Sequence, residues 1–219
     1  MSDPHIVCRI DDGIAVITFD RPEKKNAFTV SMYDALGESL SNADADASVR
    51  VIVLTGAGGS FTAGNDIADF LARPPTSADS GSGRFLRAIV GTKKPIIAAV
   101  DGVAIGIGCT MLLHVDLVYA STRSKFCMPF VNLGLTPEGA SSYLVPRAAG
   151  FHRAAELILF GDTFDADTAM RVGIVNRVVE PDALLALVKE RAAALAAKPP
   201  QALLAAKAML RASARDAVR

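Results

Sequence analysis

Val51-Ile52-Val53-Leu54-Thr55 runs without a break into Gly56-Ala57-Gly58-Gly59-Ser60-Phe61, and then into Thr62-Ala63-Gly64-Asn65-Asp66-Ile67. The first five residues are apolar on both faces, which predicts a strand buried on both sides, as the strands of a parallel sheet are. The glycines then lead from strand to helix start, here a short helix over 66–71. They leave main-chain N–H groups free to face an oxygen anion or a phosphate. Just upstream, Ile14 to Phe19 is a short β-branched and aromatic run between Asp-Asp-Gly and Asp-Arg-Pro, which reads as a strand between turns. From Ser31 to Ala43, Met32, Leu36 and Leu40 recur at helical spacing. The order is strand, helix, strand, glycine loop.

Downstream the alternation continues. Arg73 to Gly83, rich in Pro, Ser, Gly and Asp, reads as a surface loop, a lid or a linker, with a helix from Arg84. Pro95 to Val100 is a second buried strand, Asp101-Gly102 a turn, Gly106 to Val115 a helix with a glycine-lined start, and Leu117 to Ala120 a further strand. Thr136-Pro137 reads as a helix opening ahead of an apolar-periodic segment through Tyr143. Arg153 to Phe160 is a helix closed by Gly161, Asp165 to Arg171 a short helix, and Ile174 to Val179 a late strand. From Pro181 two Ala-rich helices follow, broken at Pro199-Pro200. The class is therefore α/β. The expected organisation is a core domain over 1–180 and a C-terminal helical region over 181–219, the latter stopping within or just after a helical pattern.

Composition narrows the partners. At 219 residues, 51% hydrophobic and 21% charged, the chain suffices for one well-packed domain. Twenty-three basic residues balance twenty-three acidic ones, so no whole-chain field draws in nucleic acid or an anionic membrane, and a small-molecule partner is favoured. Cys8, Cys109 and Cys127 are odd in number and widely spaced, which argues against a disulfide framework and for a reducing, cytoplasmic setting. His5, His114 and His152 are scattered without ligand spacing, so no metal site is expected. Neither a secretory signal nor a window of roughly 20 apolar residues is present. Organelle targeting stays open.

Three features carry the chemistry. The loop Phe61 to Ile67 and the loop Gly102-Val103-Ala104-Ile105-Gly106-Ile107-Gly108 each precede a helix and can present a peptide N–H to one oxygen. Two preorganised donors aimed at a thioester carbonyl stabilise an enolate oxygen without reorganising, which makes a C2 proton removable. Thr136-Pro137-Glu138-Gly139 supplies one carboxylate among Met128, Phe130, Leu133 and Leu135 as candidate base. Each signal has a plainer explanation. A glycine loop alone is more often a tight turn, and Glu138 alone is at even odds an acid stabilising a helix N-terminus. Neither loop matches a Gly-Lys-Ser/Thr phosphate loop or a Gly-x-Gly-x-x-Gly dinucleotide loop. Asp66 and Asp69 read as caps of the short helix, Cys109 as core, and Arg84 and Arg87 as solvated unless they touch phosphates.

Taken together, the blocks DRPEKKNAF (20–28), AGNDIADF (63–70), KPIIAAVDGVAIGIGCTMLLHVDLVYAS (94–121) and PFVNLGLTPEGASSYLVPRAAG (129–150) resemble the crotonase superfamily. The last block, with GDTFDADTAMRVGIVNRVV (161–179), is similar to the peroxisomal type of Δ3,Δ2-enoyl-CoA isomerase and its bacterial relatives. The resemblance implies the crotonase spiral, a ClpP-like stack of ββα units with a C-terminal helical region. It implies oxyanion donors at the main-chain N–H groups of Asn65 and Ile107, and acyl-CoA running along Ala63, Gly64, Asn65, Asp66 and Ile67. Lys25 and Ala27 would lie near the pantetheine and nucleotide portion, and Gly106, Phe130 and Leu135 would line the substrate. The two glutamates of the hydratases fall at Thr110 and Phe130, so hydration is disfavoured, as is the mitochondrial isomerase type, which needs a carboxylate at Phe130.

The resemblance thus implies an intramolecular isomerase that takes 3-enoyl-CoA to trans-2-enoyl-CoA in unsaturated fatty-acid β-oxidation. Glu138 would carry the proton from C2 to C4, with coenzyme A as part of the substrate and no separate cofactor. A homotrimer or hexamer is implied. Two other readings stand beside it: a hydratase-like or thioesterase activity with another base, and an acyl-CoA-binding protein without catalysis.

Overall fold

The computed structural model describes residues 3–73 and 79–214. Strands β1 (Ile6–Asp11) and β2 (Ile14–Phe19) form an antiparallel hairpin through Asp12-Gly13. Both turn residues have positive φ, 47° and 75°, the two-residue geometry whose twist matches the flanking strands and which Asp-Gly favours. Beside β2 lie β3 (Val51–Gly56), β4 (Ile96–Val100), β6 (Leu117–Ser121) and β9 (Arg177–Val179), all parallel, in the order β1-β2-β3-β4-β6-β9.

The central strands of this sheet, β3 and β4, are buried on both faces, while edge strand β1 is mostly exposed, and side-chain alternation divides two cores. Ala15, Ile17, Phe19, Ile52, Leu54, Ile96, Ala98 and Val100 point into the main core, with Met32, Leu36 and Leu40 of helix α1 (Val30–Ala45) and Phe85 and Ile89 of α3 (Gly81–Gly91). Ile14, Val51, Val53, Ile97 and Ala99 face the other way, onto Leu184, Val188 and Ala192 of α8 (Pro181–Ala196). Polar residues on either face would each lose burial, hence the unbroken apolar run at 51–54.

A second, smaller sheet supplies the other half of the spiral. Strands β5 (Val103–Ile105), β7 (Lys125–Cys127) and β8 (Phe164–Asp165) pair in that order, and single parallel bridges Thr62↔Ala104 and Phe28↔Asn65 continue the layer. After each central strand of the large sheet the chain therefore crosses to the small one before turning into a helix: 28 before α1, 62–65 before α2 (Ile67–Ala72), β5 before α4 (Ile107–Thr110), β7 before α5 (Ser141–Ala149). This is the repeated ββα unit of a crotonase spiral. Helices α6 (Phe151–Phe160), α7 (Ala166–Arg171) and α9 (Pro200–Ala212) complete the chain.

Several sequence expectations shift. The helix expected from Gly106 to Val115 is α4 followed by a tighter 3-10 segment, Met111–His114, and the helix expected from Arg84 starts at Gly81, capped by the Ser80 hydroxyl. The strand expected over 174–179 pairs only from Arg177. Thr136-Pro137 does not open a helix, because Gly139 (φ 60°) and Ala140 (φ 54°) turn the chain left-handed and α5 begins at Ser141. The loop expected at 73–83 falls partly, at 74–78, outside the described residues. Cys8 is exposed and Cys109 and Cys127 are buried free thiols. No described helix is long and apolar enough to cross a membrane.

Candidate active site

The glycine loop of 62–65 is tied down by side chains that the sequence reading passed over. Asn26, fully buried and left-handed at φ 55°, donates to Ala57 O (2.9 Å) and Ser60 O (2.6 Å) and accepts from the Arg21 N–H (2.8 Å). The Thr62 hydroxyl donates to Asn26 O (2.7 Å) and accepts from the Gly64 N–H (3.1 Å). Arg21 reaches Ala27 O (3.0 Å) and the Asp66 carboxylate (2.8 Å), holding that carboxyl below the usual range. Asp66 also caps α2, as expected, accepting the N–H groups of Ala68 and Asp69, whereas Asp69 lies inside α2 rather than capping it and accepts the Val30 N–H of α1 (2.7 Å).

Two loops meet here at close quarters. A Cβ on Gly64 would stand 2.7 Å from Ile105 O, and one on Gly108 would stand 2.6 Å from Thr62 Cγ2 and 2.9 Å from Thr62 O. Only hydrogen fits at either place, so the glycines permit the approach of the two helix starts. Around Asn65 and Ile107 several neighbouring N–H groups are used, Gly64 to Thr62 Oγ1, Asp66 to Phe28 O, Gly106 to Cys127 O, and Cys109 and Thr110 to Gly106 O, while those of Ile67 and Gly108 at the two helix starts are, among the described residues, unpaired. Among the described residues, the N–H groups of Asn65 and Ile107 donate no hydrogen bond. Ile107 is buried, where an unpaired main-chain donor is costly, whereas Asn65 is exposed, so adjoining loops leave one buried and one exposed donor free for an acceptor. Gly106, at φ 56° and with open space where a Cβ would be, turns the chain so that Ile107 begins α4.

Glu138 is tied to the helix that Ile107 begins. The Thr110 hydroxyl, fully buried one helical turn after Ile107, donates to Glu138 Oε1 at 2.5 Å. Burial raises the Glu138 pKa above the ordinary glutamate value, and the Thr110 hydrogen bond opposes part of the rise. The opposing influence is thus this hydroxyl and not a helix N-terminus, since α5 starts three residues later. The Tyr33 hydroxyl donates to Asn65 Oδ1, and its pKa is raised well above normal by burial and then by the Glu138 charge. Tyr33 therefore stays a proton donor and lies within electrostatic reach of the Glu138 carboxylate. Cys109 is pushed up by burial and is no thiolate.

The remaining candidates are dispersed around this centre. Phe130 is buried in the main core. Leu135 is exposed, as is Ile67 on the first turn of α2, and Ala63 is half-buried with its N–H on Lys25 O. Lys25 is exposed at a left-handed position, and Ala27 is buried with its carbonyl held by Arg21. Arg84 and Arg87 are engaged in ion pairs, with Asp34 and Asp79.

A family model described as enoyl-CoA hydratase/isomerase matches residues 9–219. The chain belongs to that family, within the crotonase superfamily. Among relatives of this crotonase, enoyl-CoA delta isomerase 2 of Homo sapiens is 38% identical over 218 residues, which is 96% of this chain and 55% of the human protein. The chain thus spans little more than half of that relative. The 1,2-epoxyphenylacetyl-CoA isomerase of Escherichia coli K12 is 37% identical over 89% of this chain and 77% of its own. An enoyl-CoA hydratase/isomerase from Pseudoalteromonas atlantica superposes with a TM-score of 0.94 at 39% identity, covering 98% of this chain and 85% of the other. Crotonases with isomerase and with hydratase names are both represented, so family membership leaves the reaction to the site residues.

Proposed function

We propose that this crotonase is a Δ3,Δ2-enoyl-CoA isomerase, and that Glu138 is its single proton carrier. The observation that supports this most is a lone half-buried carboxylate, held by Thr110 on the helix whose first N–H, with that of Asn65, is unpaired. In the proposed reaction the thioester oxygen of a 3-enoyl-CoA accepts both N–H groups. Ionised Glu138 takes a proton from C2, and the C–H electron pair moves toward the carbonyl to give a dienolate whose oxygen the two donors stabilise. The protonated Glu138 then returns the proton at C4, the C3–C4 double bond moves to C2–C3, and the carboxylate is regenerated. No atom is gained or lost, so one carboxylate suffices. A raised pKa suits it, making the ionised form a stronger base and the acid form able to wait for C4.

Hydration would need a second proton-transferring group on water. The two positions that the family resemblance assigns to such groups hold Thr110, whose proton is committed to Glu138, and Phe130, which has none. Coenzyme A enters as part of the substrate, and assembly as a trimer or dimer of trimers belongs to the same proposal. The name of the Escherichia coli relative points to a second isomerisation of a CoA thioester, that of an epoxide. A panel of cis- and trans-3-enoyl-CoAs, 2-enoyl-CoA and an aryl epoxide CoA thioester, followed by absorbance of the conjugated thioester and by chromatography, separates these readings. Turnover of 3-enoyl-CoAs without hydration of 2-enoyl-CoA is expected. Hydration as the faster reaction, or no turnover of any 3-enoyl-CoA, would overturn the proposal.

A further inference from the structure

Glu138 stands on a turn, and neither a helix nor a strand fixes its direction. Gly139 and Ala140 are consecutive left-handed residues, and the second is not glycine. Such a backbone persists only where its surroundings over-determine it. Within the turn, Ser141 donates its N–H (3.1 Å) and hydroxyl (2.7 Å) to Glu138 O. Among the described residues, one hydrogen bond reaches the main chain of 137–140 from a distant element: His114 Nε2 lies 2.7 Å from Gly139 O. A carbonyl can only accept, which assigns the proton to Nε2. His114 is 2% exposed and burial lowers its pKa, so the ring is neutral. It ends the 3-10 segment that begins next to Thr110, so one short stretch holds both the carboxylate and the carbonyl one residue on. That stretch is itself anchored from outside, because Arg211 of α9 donates to His114 O and to Asp116 Oδ1 (3.1 Å).

We propose that His114 is a positioning residue, whose Nε2–H on Gly139 O locks the left-handed turn and so holds the Glu138 carboxylate against Thr110 on the helix that Ile107 begins. The proposal rests on Glu138 being the proton carrier. It gives a buried histidine a place in the reaction through geometry alone. Loss of the bond frees the turn, and a reacting group misplaced by about an ångström loses on the order of 100-fold in rate.

The test is a cycle of His114→Leu, His114→Gln and Glu138→Gln, assayed on 3-enoyl-CoA with each variant's folded fraction measured. His114→Leu is expected to lower kcat by on the order of 10- to 100-fold, with the Kd of a saturated acyl-CoA unchanged. His114→Gln, which keeps an amide donor, is expected to restore most of it. In the Glu138→Gln background, His114→Leu should cost nothing further. Unchanged kcat per folded molecule in His114→Leu, or an equal loss with and without Glu138, would overturn the proposal. Should His114→Leu fail to fold, the imidazole ¹⁵N spectrum of the unaltered protein decides, since an Nδ1–H tautomer at His114 would overturn it and an Nε2–H tautomer support it. Wild-type protein inactive on every 3-enoyl-CoA would instead strike at the isomerase reading, leaving the tautomer to judge the contact.

Discussion

Thr110→Val removes one hydroxyl and keeps the β-branched shape. In the folded protein two influences set Glu138: burial, which favours the protonated form, and the Thr110 hydrogen bond, which favours the ionised one. With the hydroxyl gone only burial is left, so the Glu138 pKa must rise further, and the acid limb of the pH profile must move to higher pH. A hydrogen bond to a charged group contributes about 1.5–3 kcal/mol net, and 1.36 kcal/mol is tenfold, so ionised Glu138 becomes roughly 10- to 100-fold scarcer on that limb. The assay is kcat/KM for isomerisation of a 3-enoyl-CoA across the pH range of the limb, with circular dichroism to verify the fold. Wild type and Thr110→Val should converge on the alkaline plateau and separate as pH falls. Coincident profiles, or a loss equal at every pH, would refute the reasoning, because then Thr110 is not tuning the carboxylate.

Other expectations follow from the same contacts. Tyr33→Phe removes the donor to Asn65 Oδ1 and should lower kcat by about 2- to 10-fold with little change in KM, the size of one neutral hydrogen bond. Gly108→Ala places a Cβ 2.6 Å from Thr62 Cγ2, which should cost about 1–3 kcal/mol of stability, read as a lower Tm, and should reduce activity as the two N–H donors separate. Glu138→Gln should raise Tm at pH 8. The folded-state pKa of Glu138 lies above its unfolded value, so its favourable contribution is complete below the unfolded pKa and is lost as pH rises through the folded one. Melts at pH 8 and at pH 4 should show the advantage of the amide shrinking in acid.

Some of this was legible in one dimension. The unbroken apolar run at 51–54 announces a strand with both faces covered, and main core and α8 cover them. Met32, Leu36 and Leu40 mark the buried stripe of α1. Strands β5 and β7 escaped because three residues are too few to show a period of two, and their pairing bonds reach across 20 or so residues. Thr136-Pro137 looked like a helix start because proline suits a first turn. What displaced the helix is a left-handed alanine at 140, a conformation that the residue type does not advertise. Glu138 was read from the Thr-Pro-Glu-Gly stretch and Asn65 and Ile107 from the resemblance, whereas the groups that hold them were not named. Thr110 drew attention as a missing glutamate, and in the fold it is the partner of Glu138. Tyr33, Asn26 and His114 act across 25 to 36 residues of chain, through contacts that exist only once the spiral closes.

The most direct measurement is isomerisation of a 3-enoyl-CoA by Glu138→Gln, with binding of a saturated acyl-CoA measured in parallel. Removal of a group on which both proton transfers depend should cost roughly 10²–10⁴-fold in kcat, the usual contribution of a general acid–base, while acyl-CoA still binds. Turnover by the variant at the wild-type rate would contradict the account, because the double bond would then be moving without the carboxylate that it assigns to the task.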